Sequence, residues 1–167
     1  MKLTLLMALT LDGKIGKTAD HFPDWTGSAD KKLFVKLTKE AGVVIMGSRT
    51  FDTIGVPLPK RKNIILTRNK RRRSEWENLV YTDALPEKIL TDLEKQGYSR
   101  AILAGGTLIN SLFAASGLID EVIVTISPLI FGSGLSLFNE HISMTLQLEK
   151  VEQIDADVVC LKYRVTG

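Results

Sequence analysis

The sequence predicts an α/β fold with three layers, in which a mostly parallel mixed sheet carries helices on both faces. Apolar runs alternate with amphipathic segments of helical period, in the order β-α-β-α-β-β-α-β-α-β. The apolar runs show little in-out alternation, which is typical of strands buried on both faces. Near the carboxyl terminus two strands follow each other without a helix, which predicts an antiparallel hairpin at one edge of the sheet.

The composition is that of an ordinary globular protein. The 167 residues are 44% hydrophobic and 25% charged, which fits one domain over residues 1–167. No apolar run is long enough to cross a bilayer, and a strand pattern begins directly after Met1, so we expect a cytoplasmic protein without a membrane partner. A single cysteine, Cys160, excludes an internal disulfide, and only two histidines disfavour a metal site.

The elements of the amino-terminal half follow from apolar runs and turn residues. A strand over Leu3 to Leu9 is followed by a polar loop from Thr10 to Thr26, long enough to be a functional lid. The first helix is predicted to begin with Ser28 as N-cap and to end near Ala41-Gly42. The next predicted elements are a strand over 43–46, a short helix through 54, a strand over 63–67 and a short strand over 79–81.

The carboxyl-terminal half is predicted in the same way. Pro86 in a first turn and Gly97 as a stop bound one helix. The later elements are a strand over 101–104, a helix over 107–116, a strand over 121–127, a glycine-rich loop over 129–135, and hairpin strands over 144–151 and 158–165.

One residue of the first helix does not fit the apolar stripe. Asp30 lies on the face of Phe34 and Leu37, so a carboxylate points where the helix should bury carbon. A ligand with N–H donors could pair with it. Alternatively, Asp30 faces solvent in the first turn, where a negative charge suits the helix dipole. On this helix alone, the solvent-facing interpretation is favoured.

Three consecutive strand ends carry groups suited to phosphates. Gly105-Gly106-Thr107 joins a strand to a helix, Gly47-Ser48-Arg49-Thr50 repeats the arrangement, and Arg68 follows the next strand. The turn at Gly105-Gly106 is equally explained by the steric need for glycine, and each strand end alone is weak evidence. Together they favour an extended cofactor such as NADPH, although the G-x-G-x-x-G fingerprint and the P-loop are absent.

Much of the positive excess behind the net charge of +3 lies in residues 68–73, here called the basic loop. Without interleaved aromatic residues this loop is a weak nucleic-acid candidate, and a solvated loop or a phosphate site is the better interpretation. Arg61 follows a rigid proline turn and could bind a carboxylate or phosphate, although an exposed arginine is the commoner case. Two histidines and one cysteine give no convincing nucleophilic triad.

These motifs resemble the dihydrofolate reductase superfamily over nearly the whole chain. Ala8 to Gly16 resembles the first strand and active-site loop of that superfamily, and Trp25 followed by Asp30 resembles the helix bearing its pterin-binding acid. Val44 to Phe51 and Pro57 to Leu66 are similar to dihydrofolate reductases in particular. By contrast, Ala104 to Leu108 and Ser127 to Phe138 resemble the reductase domain of riboflavin biosynthesis.

The resemblance implies an NADPH-dependent transfer of hydride to a C=N bond of a dihydropterin, with dihydrofolate as the preferred substrate. Asp30 would orient the pterin and favour protonation of the imine nitrogen, with a water admitted by the lid as proton source. Phe34 would pack on the ring, Arg61 would hold the carboxylate of the tail, and Thr125 would support Asp30. Ala8 would contact both the substrate and the cofactor. The other residues implied in cofactor binding are Ile15, Gly16, Gly47, Ser48, Arg49, Thr50, Leu66, Thr67, Arg68, Leu103, Gly105, Gly106, Thr107, Leu108 and Ile109.

Two alternatives remain open. The first is a reductase of the riboflavin type, which would use Arg61 and the basic loop to bind the phosphate of a ribosylaminopyrimidine. The second is a nucleotide-binding or nucleic-acid-binding module without chemistry. Ser48 stands where folate reductases usually carry a basic residue, which leaves the preference for NADPH over NADH open. The resemblance is compatible with a monomer and with a homodimer.

Overall fold

The computed structural model describes residues 1–167 and contains one eight-stranded sheet and one two-stranded sheet. The strands are β1 (Lys2–Thr10), β2 (Lys14–Gly16), β3 (Val43–Gly47), β4 (Lys62–Leu66), β5 (Leu79–Thr82), β6 (Arg100–Leu103), β7 (Glu121–Ser127), β8 (Leu135–Ser136), β9 (Leu146–Asp155) and β10 (Val158–Val165). The large sheet has the order β5-β4-β3-β6-β1-β7-β10-β9. Its first six strands pair in parallel, and β10 and β9 add the antiparallel hairpin at one edge, as predicted.

Four helices cover the large sheet on both faces, which confirms the predicted layers. They are α1 (Gly27–Ala41), α2 (Ser48–Ile54), α3 (Pro86–Lys95) and α4 (Thr107–Ala115). Successive residues of β3 point to opposite faces, so Val43 and Ile45 pack with the core under α3 and α4, whereas Val44 and Met46 pack with Phe51 of α2. Cys160 is buried beneath α1.

The start of α1 differs from the prediction. Thr26, not Ser28, is the N-cap residue, and no side chain caps the helix. Gly27 has a φ of 84° and lets the chain pass directly from a 3-10 turn at Asp24–Thr26 into the helix, so Ser28 already lies in the first turn. The end agrees with the prediction, because Gly42 is left-handed and its N–H donates to the carbonyl oxygen of Thr38 at 3.0 Å.

The lid between residues 10 and 26 is more ordered than its sequence predicts. It contains β2, which pairs with β8 of the glycine-rich loop to form the two-stranded sheet. Strands of two or three residues show no measurable period, and this pair forms through a contact between distant parts of the chain, so the sequence pattern missed both. None of the helices combines the length and apolarity needed to span a membrane.

Candidate active site

The predicted site residues meet at the carboxyl ends of the parallel strands. Gly47 pairs with Leu66 across β3 and β4, and its N–H donates to the carbonyl oxygen of Gly105 at 2.8 Å. On the other side, Ala8 of β1 lies beside Thr125 of β7. A cleft of about 460 Å³ opens at this edge of the sheet, between α1, α2 and the lid. This position is typical of ligand sites in open α/β sheets.

Asp30 is the only carboxylate that lines the cleft. The hydroxyl of Thr125, a fully buried residue, donates to Oδ1 of Asp30 at 2.6 Å. No other donor of the chain reaches this carboxylate, so Oδ2 is available to a ligand. The solvent-facing interpretation of Asp30 is therefore wrong, because the first turn of α1 points into the cleft rather than away from the sheet.

The surroundings of Asp30 are largely apolar. Phe34, Ala8 and Ile15 line the same cleft, as the family resemblance implies. The indole Nε1 of Trp25 is buried there without a hydrogen-bond partner. A buried N–H without an acceptor is costly, so this donor is suited to a water or to a carbonyl oxygen of a ligand. Sequence reasoning missed this group, although its spacing from Asp30 was visible.

Lys31 is a second cleft residue that sequence reasoning missed. Its exposed side chain follows Asp30 directly, lines the cleft and makes no ion pair or hydrogen bond. Among the lysines and arginines of the chain, it is the one that lines this cleft. Its ammonium group can therefore attract an anionic substituent on a ligand held by Asp30.

The other end of the cleft is formed by Gly106 and Thr50. A Cβ added to Gly106 would lie 3.3 Å from the Thr50 hydroxyl, and one added to Gly105 would lie 3.0 Å from the Met7 methyl. The N–H groups of Gly106, Thr107 and Leu108 make no hydrogen bond within the chain and stand at the amino end of α4. Free N–H groups at a helix start favour an anion such as a phosphate.

Two implied cofactor residues expose no side chain to the cleft. Leu66 and Leu103 belong to the core beneath α3 and α4, so only their backbone atoms are available to a ligand. Ser48 is half-buried, while Arg49 and Arg68 are exposed beyond the cleft and have no carboxylate partner. Because Gly47 and Leu66 are paired, the chain leaves β3 and β4 side by side, which brings 48–50 near 67–68.

Arg61 is buried, contrary to the expectation of an exposed arginine. It is only 5% exposed, its Nε donates to the carbonyl oxygen of Pro59 at 2.9 Å, and its Nη1 donates to the Thr38 hydroxyl at 2.7 Å. Burial lowers the pKa of its guanidinium, and no carboxylate of the chain pairs with it. A buried cation without an anionic partner is costly, and an anionic ligand would offset that cost.

The lid is attached to the glycine-rich loop by Asp12. Oδ2 of Asp12 accepts the N–H of Gly132 at 2.7 Å, and Oδ1 accepts the Thr10 hydroxyl at 2.6 Å. The Thr10 hydrogen bond is the largest cause of the lowered pKa of Asp12. Phe131 packs edge-on against Trp25 with ring centroids 5.2 Å apart, so the two loops together close one side of the cleft.

Solved structures share the fold of this chain. The chain aligns with a diaminohydroxyphosphoribosylaminopyrimidine deaminase/5-amino-6-(5-phosphoribosylamino)uracil reductase of Thermotoga maritima at a TM-score of 0.79 and 18% identity, over 99% of this chain and 56% of that one. It aligns with a dihydrofolate reductase of Enterococcus faecalis in complex with NADP(H) at 0.73 and 22%, over 99% and 97%. The fold is therefore dihydrofolate reductase-like.

Sequence comparison identifies the family. The profile of the dihydrofolate reductase family matches residues 2–158, and the chain belongs to that family. Dihydrofolate reductase type 3 of Salmonella typhimurium is 35% identical over 108 residues, which are 65% of this chain and 62% of that protein. The chain thus spans somewhat under two thirds of the length of this curated relative.

Proposed function

We propose that the protein is an NADPH-dependent reductase that transfers hydride to a C=N bond of a dihydropterin, with dihydrofolate as substrate. The observation that carries this proposal is the Asp30 carboxylate, held by Thr125 in an apolar cleft with one oxygen free. Family membership supports the reaction class. The substrate and the cofactor rest on the chemistry of the cleft.

Asp30 orients the ring that is reduced. Its free oxygen accepts an N–H of the pterin, while the Thr125 hydroxyl, which donates to Oδ1, keeps its lone pairs for the amino group of the substrate. The negative charge beside the ring favours protonation of the imine nitrogen, and a protonated imine accepts hydride more readily. The N–H of Trp25 can hold the water that supplies this proton.

The opposite end of the cleft fits NADPH. The free N–H groups at the start of α4 suit its pyrophosphate, and the glycines at 105 and 106 let the turn approach Met7 and Thr50 more closely than a residue with a Cβ could. When bound, the cofactor supplies the hydride. Ala8 and Ile15 line the cleft between this end and Asp30, and they exclude water from the place where ring and hydride donor would meet.

The position of Arg61 favours dihydrofolate over a shorter substrate. Arg61 donates a hydrogen bond to the hydroxyl of Thr38, which lies eight residues after Asp30 on α1. Eight residues correspond to about 12 Å along a helix axis. A pterin ring at Asp30 and a carboxylate at Arg61 therefore require a spacer between them, as in the aromatic arm and glutamate of folates. Phe34, Val35 and Leu58 line the cleft along this path.

Oxidation of NADPH in the presence of dihydrofolate tests the proposal, with Asp30→Asn as the decisive variant. We expect turnover by the wild type and a loss of about a thousandfold in kcat/KM for Asp30→Asn. Asp24→Asn, at an exposed residue of the adjacent 3-10 turn, is the matched control and should keep wild-type turnover. Full activity of Asp30→Asn would contradict the assigned role of Asp30.

A second candidate is a reductase of a ribosylaminopyrimidine phosphate. Lys31 favours it, because this unpaired ammonium group follows Asp30 directly and could bind a phosphate only one ribose away from the ring. The same assay with such a substrate separates the two. Turnover of the pyrimidine that Lys31→Met weakens, without turnover of dihydrofolate, would replace the first proposal with the second.

A further inference from the structure

The basic loop is pinned to α2 by one ion pair. Arg72 donates to Asp52 through Nη1 at 2.7 Å and through Nη2 at 2.6 Å, so both oxygens of the carboxylate are occupied. The guanidinium also lies over the ring of Tyr81, with 5.6 Å to the ring centroid, and Tyr81 packs edge-on against Phe51. Bidentate geometry with a stacked ring fixes an arginine far better than a single contact does.

The Arg72–Asp52 ion pair neutralises the carboxylate next to Arg49 on the surface of α2. Arg49 and Asp52 are three residues apart on the helix and therefore neighbours on its surface. Arg49 nevertheless has no carboxylate partner, because Arg72 occupies Asp52. The hydrogen bond from Arg72 also lowers the pKa of Asp52. Without Arg72, the free carboxylate would attract Arg49 and repel any anion bound beside it.

Arg68 belongs to the same group of unpaired cations. It follows β4, whose end lies beside the start of α2, and its side chain makes no hydrogen bond or ion pair. Arg71 is also without a carboxylate partner. By contrast, Lys70 of the same loop is paired with Asp83. The loop therefore presents arginines without acidic partners near Arg49, and Arg72 is the residue that holds them there.

We propose that Arg72 is a positioning residue that makes the site selective for a 2′-phosphorylated nucleotide: by occupying Asp52 it keeps Arg49 and Arg68 free to bind the phosphate. The inference rests on the proposed use of NADPH. Ser48 stands directly after Gly47, where folate reductases usually carry a basic residue. Arg49 of α2 and Arg68 of the basic loop would replace that residue as phosphate ligands. Arg72 itself does not contact the phosphate.

Binding of two small nucleotides tests this role without any turnover. Calorimetry would compare adenosine 2′,5′-bisphosphate with adenosine 5′-monophosphate, which lacks the 2′-phosphate. We expect the wild type to prefer the bisphosphate, and Arg72→Ala to reduce that preference about tenfold while the monophosphate affinity is unchanged. The unchanged monophosphate affinity reports that the variant is folded.

A double variant and a matched control separate positioning from a general loss of charge. In Arg72→Ala with Asp52→Asn, no carboxylate remains to capture Arg49, so the part of the preference that depends on Arg49 should return, although the basic loop is still released from α2. Lys70→Ala removes a positive charge from the same loop but leaves Arg72 and Asp52 in place, so it should keep the preference. An unchanged preference in Arg72→Ala, or a double variant no better than Arg72→Ala, would overturn the inference.

The same measurements distinguish this inference from the proposed reaction. A wild type that prefers the bisphosphate, and loses the preference in Arg72→Ala, supports the inference even if no pterin or pyrimidine is reduced. A wild type that oxidises NADPH with dihydrofolate, yet keeps its preference in Arg72→Ala, overturns only the role of Arg72. A wild type without any preference overturns the inference and the choice of NADPH together.

Discussion

The two ends of the large sheet hold cavities of almost equal volume but opposite character. The cavity at the amino ends of β1 and β7 measures about 470 Å³, and the active-site cleft at the carboxyl ends measures about 460 Å³. At the amino end, the buried Glu121 carboxylate accepts hydrogen bonds from Lys2 and Lys162, both at 2.8 Å, and from Thr4 at 2.9 Å. At the carboxyl end, Asp30 has one partner, Thr125.

The number of hydrogen-bond partners distinguishes Glu121, a carboxylate that stabilises the fold, from Asp30, a carboxylate that is available to a ligand. Burial alone would raise the pKa of Glu121, but the hydrogen bonds from Lys162, Lys2 and Thr4 together hold it below its ordinary value. These partners engage both oxygens of the carboxylate and balance its charge with two ammonium groups, so it is already paired within the chain. In the cleft, Asp30 has one oxygen without a partner and the indole N–H of Trp25 has no acceptor, while Arg61, buried beside α1, has no anionic partner. Cavity volume therefore does not identify the functional end; unsatisfied polar groups do.

Exchanging Glu121 for Gln should give the largest effect on stability and little effect on turnover. The amide loses the charge that pairs with two lysines, which we expect to cost about 2 kcal/mol in the free energy of unfolding. Asp30→Asn should show the reverse, with activity lost and the unfolding free energy nearly unchanged. Urea unfolding followed by circular dichroism measures both.

Glu149→Gln is the control for this comparison. Glu149 contacts the same Lys162 at 3.6 Å from a more exposed position, so we expect a loss of less than about 0.5 kcal/mol. A loss in Glu121→Gln no greater than that in Glu149→Gln would show that burial and internal pairing do not make Glu121 a stabilising carboxylate.

Thr125→Val tests whether the single partner of Asp30 serves the reaction. Valine fills the same volume in this fully buried position but cannot donate to Asp30 or accept from the substrate. We expect about a tenfold lower kcat/KM, which corresponds to about 1.4 kcal/mol. Thr125→Ser keeps the hydroxyl and should retain most of the activity. Equal activity in the Val and Ser variants would remove Thr125 from the site.

The sequence predicted the sheet well because its strands are nearly continuous apolar runs. The runs Val43 to Met46 and Glu121 to Ser127 are short and mostly apolar, which is typical of buried strands, and both are strands in the structure. What it missed depends on distant contacts. β2 and β8 exist because two loops meet, and the burial of Arg61 depends on Thr38, which is 23 residues away.

The candidate site shows the same limit. The helical period put Asp30 on the apolar stripe, but an acid in a first turn also suits the helix dipole, and this second argument favoured solvent. The resemblance to a family was needed to favour the cleft. The hydrogen bond from Thr125 joins residues 95 positions apart, and no spacing rule could propose it. Lys31 and the N–H of Trp25 were adjacent to the predicted site, but only the shape of the cleft shows that they line it.

The smallest expected effect is a pH dependence of the stability contributed by Glu121, at the amino ends of the strands. Because the folded pKa of Glu121 lies below its ordinary value of 4.5, the carboxylate stabilises the fold above that value, and this contribution is lost as the pH falls towards the folded pKa. The stability difference between wild type and Glu121→Gln should therefore be constant near neutral pH and shrink below about pH 4.5. Unfolding free energies measured across this range check it. A difference that stays constant down to acid-induced unfolding would mean that the lysines, rather than the ionised carboxylate, stabilise this end of the sheet.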